Sequence, residues 1–342
     1  MPPALNIPQE SRSIGGANAV NFSEEICLPY LRAAQNPDGG WGFRGGAQSR
    51  VEATAWALIA LAQGFPARAA GAAGAAGLAG ADAGASERGI RYLADSQLVD
   101  GSWPSAHGQG QGAWVSALAC WAFFSTNENR AALQRGLDWL AAERPGDSGG
   151  WFRFLRGLRG SKKVSGQNDA LWGWSWTAGT ASWVEPTAYA LLVLRAAPKD
   201  LVPSAAASRM KLAEAMLFDR MCPGGGWNCG NPMVYGVAGE PQVGTTVWAL
   251  LALREHAERA EIQQSLAWLE KNWSCILSPA SLALTQIGLN AFNRGNSSFA
   301  ATLERLYAPD AIAWTVPVAA WAALAASGRN FWSSCARAEA KN

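Results

Sequence analysis

Hydrophobic positions along the chain fall into two helical patterns. In the first, apolar residues recur every three or four positions with charges between them: 22–35 (FSEEICLPYLRAAQ), 86–97 (SERGIRYLADSQ), 129–143, 208–220, 259–272 and 297–307. That spacing lays one apolar stripe along an otherwise solvated helix. In the second, the run is apolar nearly all round: 51–63 (VEATAWALIALAQ), 115–124, 184–197 (VEPTAYALLVLRAA), 243–254, 281–292 and 316–326. Their length and their abundant Ala and Leu favour helix over buried strand. A helix with no polar face is covered on both sides.

The two kinds alternate strictly, six of each. Such a pair cannot bury its own apolar face, so pairs must stack on one another. An open stack needs polar caps at both ends, and neither end of the pattern supplies one. The pattern predicts an all-α fold, an (α/α)6 toroid with six amphipathic helices outside six apolar ones. Two connections break the regularity. Residues 64–85 are an Ala/Gly tract that predicts a flexible insertion, because repeated glycine argues against a firm helix. Residues 144–183 form a long loop carrying Trp172, Trp174 and Trp176. A long loop inside a compact domain points to function, and the cost of exposing three indoles gives this one order.

Composition narrows the function classes. The 342 residues include 18 Trp, more than the 11 Phe or 5 Tyr, so aromatic surface is the material most available for a site. Lys and Arg number 28 against 26 Asp and Glu, with no basic block, which excludes a nucleic-acid footprint. The Cys residues, at 27, 120, 222, 229, 275 and 335, contain no CxxC pair and read as reduced thiols. The N-terminal stretch MPPALNIPQESRSIGG has neither the cationic start nor the apolar core of a signal peptide. No apolar run reaches the ~20 residues of a membrane-spanning helix. The expectation is a cytoplasmic protein, with peripheral membrane contact left open.

Several outer helices end alike, in QNPDGGW (35–41), QLVDGSW (97–103), RPGDSGGW (144–151) and CPGGGW (222–227). Glycine supplies the positive φ that a helix C-terminus often takes. Gln can bond backbone groups at a neighbouring helix end, and Trp can cover the polar junction. This predicts a lock from pair to pair. The pattern also resembles the QW repeat of the squalene–hopene and oxidosqualene cyclase family. Arg88-Gly89, Leu93, Gln97, Gly101 and Trp103 match it throughout, and Leu31, Gln35, Gly39 and Trp41 match its second half. Arg135-Gly136, Leu140, Gly149 and Trp151 match with Arg144 in place of Gln; Phe218, Gly225 and Trp227 match with Cys222 in that place. The resemblance implies one terpenoid-cyclase/prenyltransferase α/α toroid over 20–335, with irregular tails at 1–19 and 336–342.

It also implies where chemistry sits. Protonating cyclases open an inner helix with Asp-Xaa-Asp-Asp-Thr-Ala, whose middle Asp is the acid. In WVEPTA (183–188), Thr187 and Ala188 match, Glu185 takes the acid's place, and Trp183 and Pro186 replace the flanking aspartates. Glu185 is therefore the candidate general acid. Burial would raise its pKa, whereas the helix N-terminus would lower it. Glu52 in VEATA stands in the same register, as a helix-start carboxylate would. Residues at inner-helix starts and in the loops before them are the substrate-binding candidates: Glu52, Trp114, Trp172, Trp174, Trp176, Trp183, Tyr189, Asn228, Tyr235 and Trp314. Their aromatic faces suit a developing carbocation.

No metal and no cofactor is expected. The chain has no Asp-Asp-Xaa-Xaa-Asp run, and His107 and His256, the only histidines, complete no zinc set with Cys222 and Cys229. The expected activity is protonation-initiated cyclisation or isomerisation of a polyprenyl or triterpenoid-type substrate. Two alternatives stay open. One is a non-catalytic toroid that binds an isoprenoid, or a partner protein that completes the site. The other is a carbohydrate-active (α/α)6 enzyme using two carboxylates among Glu52, Asp169 and Glu185.

Overall fold

The structure, a computed structural model, describes residues 21–64, 73–106, 108–150, 167–307, 311 and 313–328. The chain is predominantly helical. A π-helical turn, Ser23–Cys27, leads into α1 (Leu28–Ala33); α2 (Val51–Gly64), α3 (Ala73–Asp95), α4 (Val115–Thr126) and α5 (Arg130–Ala142) follow. After a long connection come α6 (Val184–Ala196), α7 (Ala206–Asp219), α8 (Val243–Ala252), α9 (Ala260–Asn272), α10 (Pro279–Ala291), α11 (Phe299–Leu306) and α12 (Val316–Ser327). Among the described residues, strands occur only as two short antiparallel pairs: β1 (Trp174–Ser175) with β2 (Ser182–Trp183), and β3 (Met233–Val234) with β4 (Val237–Ala238).

The apolar helices form the interior. α2 packs on α4, α4 on α6, α6 on α8, α8 on α10, α10 on α12, and α12 back on α2. Ten of the twelve residues of α4 are buried, which is why that sequence has no polar side to spare. The amphipathic helices lie against these six: α3 on α2, α5 on α4, α7 on α6, α9 on α8 and α11 on α10. The N-terminal segment packs on α12, the last apolar helix. Phe22, Tyr30, Tyr307 and Trp314 seal that contact, with Tyr307 and Trp314 edge to face at 4.9 Å. Among the described residues no helix is long and apolar enough to cross a membrane.

The Ala/Gly tract differs from expectation. Helix α3 begins at Ala73, well inside it; alanine, the strongest helix former, outweighs the interspersed glycines once the helix is continuous with the packed segment after Ala85. Residues 65–72, the termini 1–20 and 329–342, His107 and Trp151 lie outside the described residues.

Trp plates lock the pairs together. The Trp41 and Trp103 indole N–H groups donate to the carbonyls of Leu31 and Leu93, 2.7 and 2.6 Å away. Their backbone N–H groups donate to the hydroxyls of Thr54 and Ser116, at the start of the next apolar helix. Trp227 does the same with Leu217 and Thr246. Gln35 Nε2 donates to Gly39 O and Ala85 O, and Gln97 Nε2 to Gly101 O and Ala132 O. The glutamine thus ties its own turn to a carbonyl three residues before the Arg-Gly of the next outer helix. Gly101 shows why the turn needs glycine: its φ is +91°, and a Cβ there would lie 2.5 Å from the Arg135 carbonyl oxygen.

The third plate is not where the Gly-Xaa-Trp spacing put it. Trp174 makes these bonds, with its indole to Leu140 O at 2.9 Å and its backbone N–H to the Thr187 hydroxyl. The better ruler is the thirteen residues from Trp to hydroxyl, shared by Trp41, Trp103 and Trp174. Measured back from Thr187, that ruler lands on Trp174, well short of Trp151. Arg144 stands four residues after Leu140, as Gln35 and Gln97 stand after Leu31 and Leu93, but the arginine contact falls to its neighbour: Arg209 donates to Glu143 as Arg88 does to Gln35 and Arg135 to Gln97.

Candidate functional site

The hydroxyls that receive the Trp backbone N–H groups set a common register for four apolar helices. Aligned on Thr54, Ser116, Thr187 and Thr246, the residue two before the hydroxyl is Glu52 on α2, Trp114 before α4, Glu185 on α6 and Gly244 on α8. The residue two after it is Trp56, Leu118, Tyr189 and Trp248. The starts of these helices therefore present one layer with two carboxyls and an indole, and below it a layer of large apolar rings.

Both layers converge. Thr245 Oγ1 donates to Glu185 Oε1 at 3.0 Å. Gly244 leaves room for that carboxylate, since a Cβ there would come to 3.5 Å from Oε1. Burial, then the charge of Glu185, pushes the Glu52 carboxyl up to about 7. Burial also raises Glu185, opposed by the Thr245 hydrogen bond. Tyr189 is driven well above the usual phenol range, first by burial and then by the charges of Glu185 and Glu52. Glu185 forms no ion pair among the described residues, so burial outweighs the helix N-terminus.

Aromatic rings line this point and fill the space beneath it. Trp114 stacks on Tyr189 at 5.3 Å and meets Trp176 edge-on at 5.0 Å. Below, Trp56 stacks on Trp248 at 5.2 Å, Tyr189 and Trp321 pack on both of these rings, and Trp121 packs on Trp56. Among the described residues, the indole N–H groups of Trp56 and Trp321 have no hydrogen-bond partner. Two grooves, of about 490 Å³ beside Arg254, Gln263 and Phe292 and about 450 Å³ beside Pro241, Trp268 and Ile276, lie elsewhere and touch neither Glu52 nor Glu185.

Of the residues proposed from sequence, the structure brings together Glu52, Trp114, Trp176, Glu185 and Tyr189. Trp183 is adjacent, paired with Trp174 across β1 and β2. Trp174 itself is the junction plate just described, and Trp172 lies under the guanidinium groups of Arg209 and Arg144, at 4.9 and 5.5 Å. Trp314 belongs to the seal between the first and last helices. Asn228 folds its own turn, with Oδ1 accepting from Gly230 N and Asn231 N. Tyr235 is 81% exposed at the tip of the β3–β4 hairpin, with φ +51°. His256 lies at the other end of the molecule against Glu214 and Phe218. Sequence reasoning missed Thr245, Trp56, Trp248 and Trp321. The register of VGTTVWALL against VEATAWALI carries the first three.

No protein-family model matches the chain, and no curated protein matches it. Among solved structures it is similar to the apo type II terpene cyclase MstE from Scytonema, at 16% identity over 73% of this chain and 78% of that chain, with a TM-score of 0.36. It is also similar to Salmonella alpha-2-macroglobulin reacted with methylamine, at 15% identity over 89% of this chain and 17% of that chain, with a TM-score of 0.46. A third similarity is to an apo MstE variant in which one tyrosine is replaced by phenylalanine. It has 13% identity over 91% of this chain and 96% of that chain, and a TM-score of 0.38. At such TM-scores the likeness carries over neither an activity nor a residue role.

Proposed function

We propose that the chain is a single (α/α)6 toroid over 20–335, of the terpenoid-cyclase type, that takes a polyprenyl or triterpenoid-type molecule at the mouth where Glu52 and Glu185 meet. There it starts a cyclisation or isomerisation by protonation. The observation that carries this reading is the pair of desolvated carboxyls, whose charges reach each other and Tyr189, the ring on which Trp114 stacks. A carboxylic acid kept protonated by burial can give its proton to an alkene. The π electrons form the new C–H bond, and the cation left on the neighbouring carbon is stabilised by the aromatic faces. Loss of a proton from the rearranged skeleton to a carboxylate restores the pair.

The test is incubation of the full chain with squalene, oxidosqualene and geranylgeranyl diphosphate, followed by mass spectrometry of extracted lipids. A cyclised or isomerised product is expected, absent in the Glu52→Gln/Glu185→Gln variant. No product from any of the three, or product undiminished in that variant, overturns it.

One observation favours a second reading. Trp56, Trp121, Trp248 and Trp321 occupy the space beneath the mouth, which leaves a shallow seat instead of a deep channel. A shallow seat suits a toroid that holds an isoprenoid tail, or a partner protein, without turning it over. Native mass spectrometry separates the two: a co-purified lipid with no conversion supports binding alone.

A further inference from the structure

Across their full lengths the six apolar helices carry three charged side chains: Glu52, Glu185 and Arg195. Arg195 sits in the last turn of α6, held by Glu214 at 3.0 Å and Glu255 at 3.9 Å, at the end away from the mouth. The mouth layer therefore has two acids and no base from these helices. Two carboxyls that feel each other in a desolvated space do not both ionise readily near neutral pH. One of them keeps a proton, and their surroundings decide which.

The two are alike in most respects. Each is the second residue of its helix, so the helix N-terminus favours the carboxylate form equally at both. They differ in what the next helix offers. Helix α8 gives Glu185 the Thr245 hydroxyl, one residue before the register hydroxyl Thr246. Helix α4 stands to α2 as α8 stands to α6, and one residue before its register hydroxyl Ser116 comes Val115, which has nothing to donate. Among the described residues no hydrogen bond reaches the Glu52 carboxyl.

We infer that Glu52 holds the proton of the pair at neutral pH and is the donor to a bound alkene, while Glu185 is the carboxylate, held in that form by Thr245. The raised Glu52 value, about 7, agrees, as does the lowering that Thr245 exerts on Glu185. The other titratable groups that face the pair are Tyr189 from α6, kept neutral by burial, and Cys229 from the loop before α8, an exposed thiol raised by partial desolvation and then by the charge of Glu185. Helices α8, α10 and α12 add no titratable side chain, and α4 adds only the buried Cys120 thiol. In the transfer, the Glu52 O–H bond breaks, the alkene π pair makes the C–H bond, and Glu52 is left a carboxylate. The closing loss of a proton from the product returns it to the pair.

Only the donor role depends on the function proposed above; the position of the proton does not. It is tested without substrate, by ¹³C NMR of labelled glutamate carboxyls in the full chain from about pH 4 to about pH 9, a range that spans ordinary and raised carboxylates. One carboxyl should titrate near neutrality, vanish in Glu52→Gln, and remain in Glu185→Gln with a lower midpoint, because its like-charged neighbour is gone. Thr245→Val should raise the midpoint of the second carboxyl while Glu52 is present. Stability should give the same answer. A carboxyl raised on folding contributes stability that is full below its unfolded value and is lost as pH rises through its folded value. Wild type should therefore weaken between about pH 4.5 and about pH 7, and Glu52→Gln should flatten that fall. A near-neutral carboxyl that survives Glu52→Gln and disappears in Glu185→Gln overturns the inference, as does the absence of any raised carboxyl. With the proton located on Glu52 and no product from any alkene, the function proposed above fails and this assignment stands.

Discussion

The first two junctions between pairs and the third have the same geometry and opposite chemistry. In the first two, an exposed arginine, Arg88 or Arg135, donates to an amide oxygen, of Gln35 or Gln97. In the third, Arg209 is 4% exposed and donates to Glu143, 8% exposed, at 2.8 Å. The difference comes from the long connection before α6. It lays Trp172 and Trp174 on the Arg209 guanidinium, at 4.9 and 4.1 Å, and shuts out water. A guanidinium in water needs only a neutral acceptor, whereas a buried one needs a counter-charge. Burial lowers Arg209 to about 10 and raises Glu143 against the pull of Arg209, so desolvation is the largest influence on both partners. The acceptor that meets the arginine can thus be Gln or Glu, according to whether the loop above exposes or buries the guanidinium.

That comparison predicts a graded set of losses, readable by urea unfolding. Arg209→Ala strands the Glu143 carboxylate and should cost about 3–5 kcal/mol; a loss no larger than that of Arg88→Ala breaks the comparison. Gly101→Ala should cost about 1–3 kcal/mol from its positive φ, and more where the Arg135 carbonyl cannot move away. Replacing both partners, Glu143→Leu with Arg209→Met, should leave stability within about 1 kcal/mol of wild type, because removing a buried pair removes its desolvation cost as well. Arg88→Ala should cost about 1 kcal/mol or less, since Gln35 keeps its bonds to Gly39 and Ala85 and water replaces the arginine. A double replacement that costs as much as Arg209→Ala would show that the stranded buried charge is not what separates the junctions.

The two ends of the molecule differ in a related way. All six large apolar side chains that are exposed among the described residues, Phe43, Val99, Val234, Tyr235, Val237 and Leu277, belong to connections that run from an amphipathic helix to an apolar one. These connections surround the layer of Glu52 and Glu185. The opposite end holds an ionic cluster instead, Arg195 of α6 and Glu214 of α7 with Glu255 and His256 of the connection after α8.

How far the sequence could be read depended on whether a feature was local. The alternation of amphipathic and wholly apolar runs located the helices, because 3.6-residue periodicity and burial are written within a dozen neighbouring residues. The junction at Trp103 was legible for the same reason, with its glutamine, glycine and indole a few residues apart. The third junction was not. Its indole lies beyond a long loop from Leu140, and a hydrogen bond to that carbonyl can be met by any loop length. The tryptophans of LWGWSW looked equivalent in sequence, yet one became a plate, one a cover for Arg209 and one a neighbour of Trp114.

By itself the sequence determined the helices, their order, the locking residues of three junctions and the shared register of Glu52 and Glu185. Only the tertiary structure decided that the charge of Glu185 reaches Glu52, that Thr245 serves one of them and not the other, and that the space beneath them is filled by Trp56, Trp121, Trp248 and Trp321. Periodicity fixes which face of a helix turns inward; what that face meets there is set by helices distant in sequence, whose approach depends on the packing of the whole molecule.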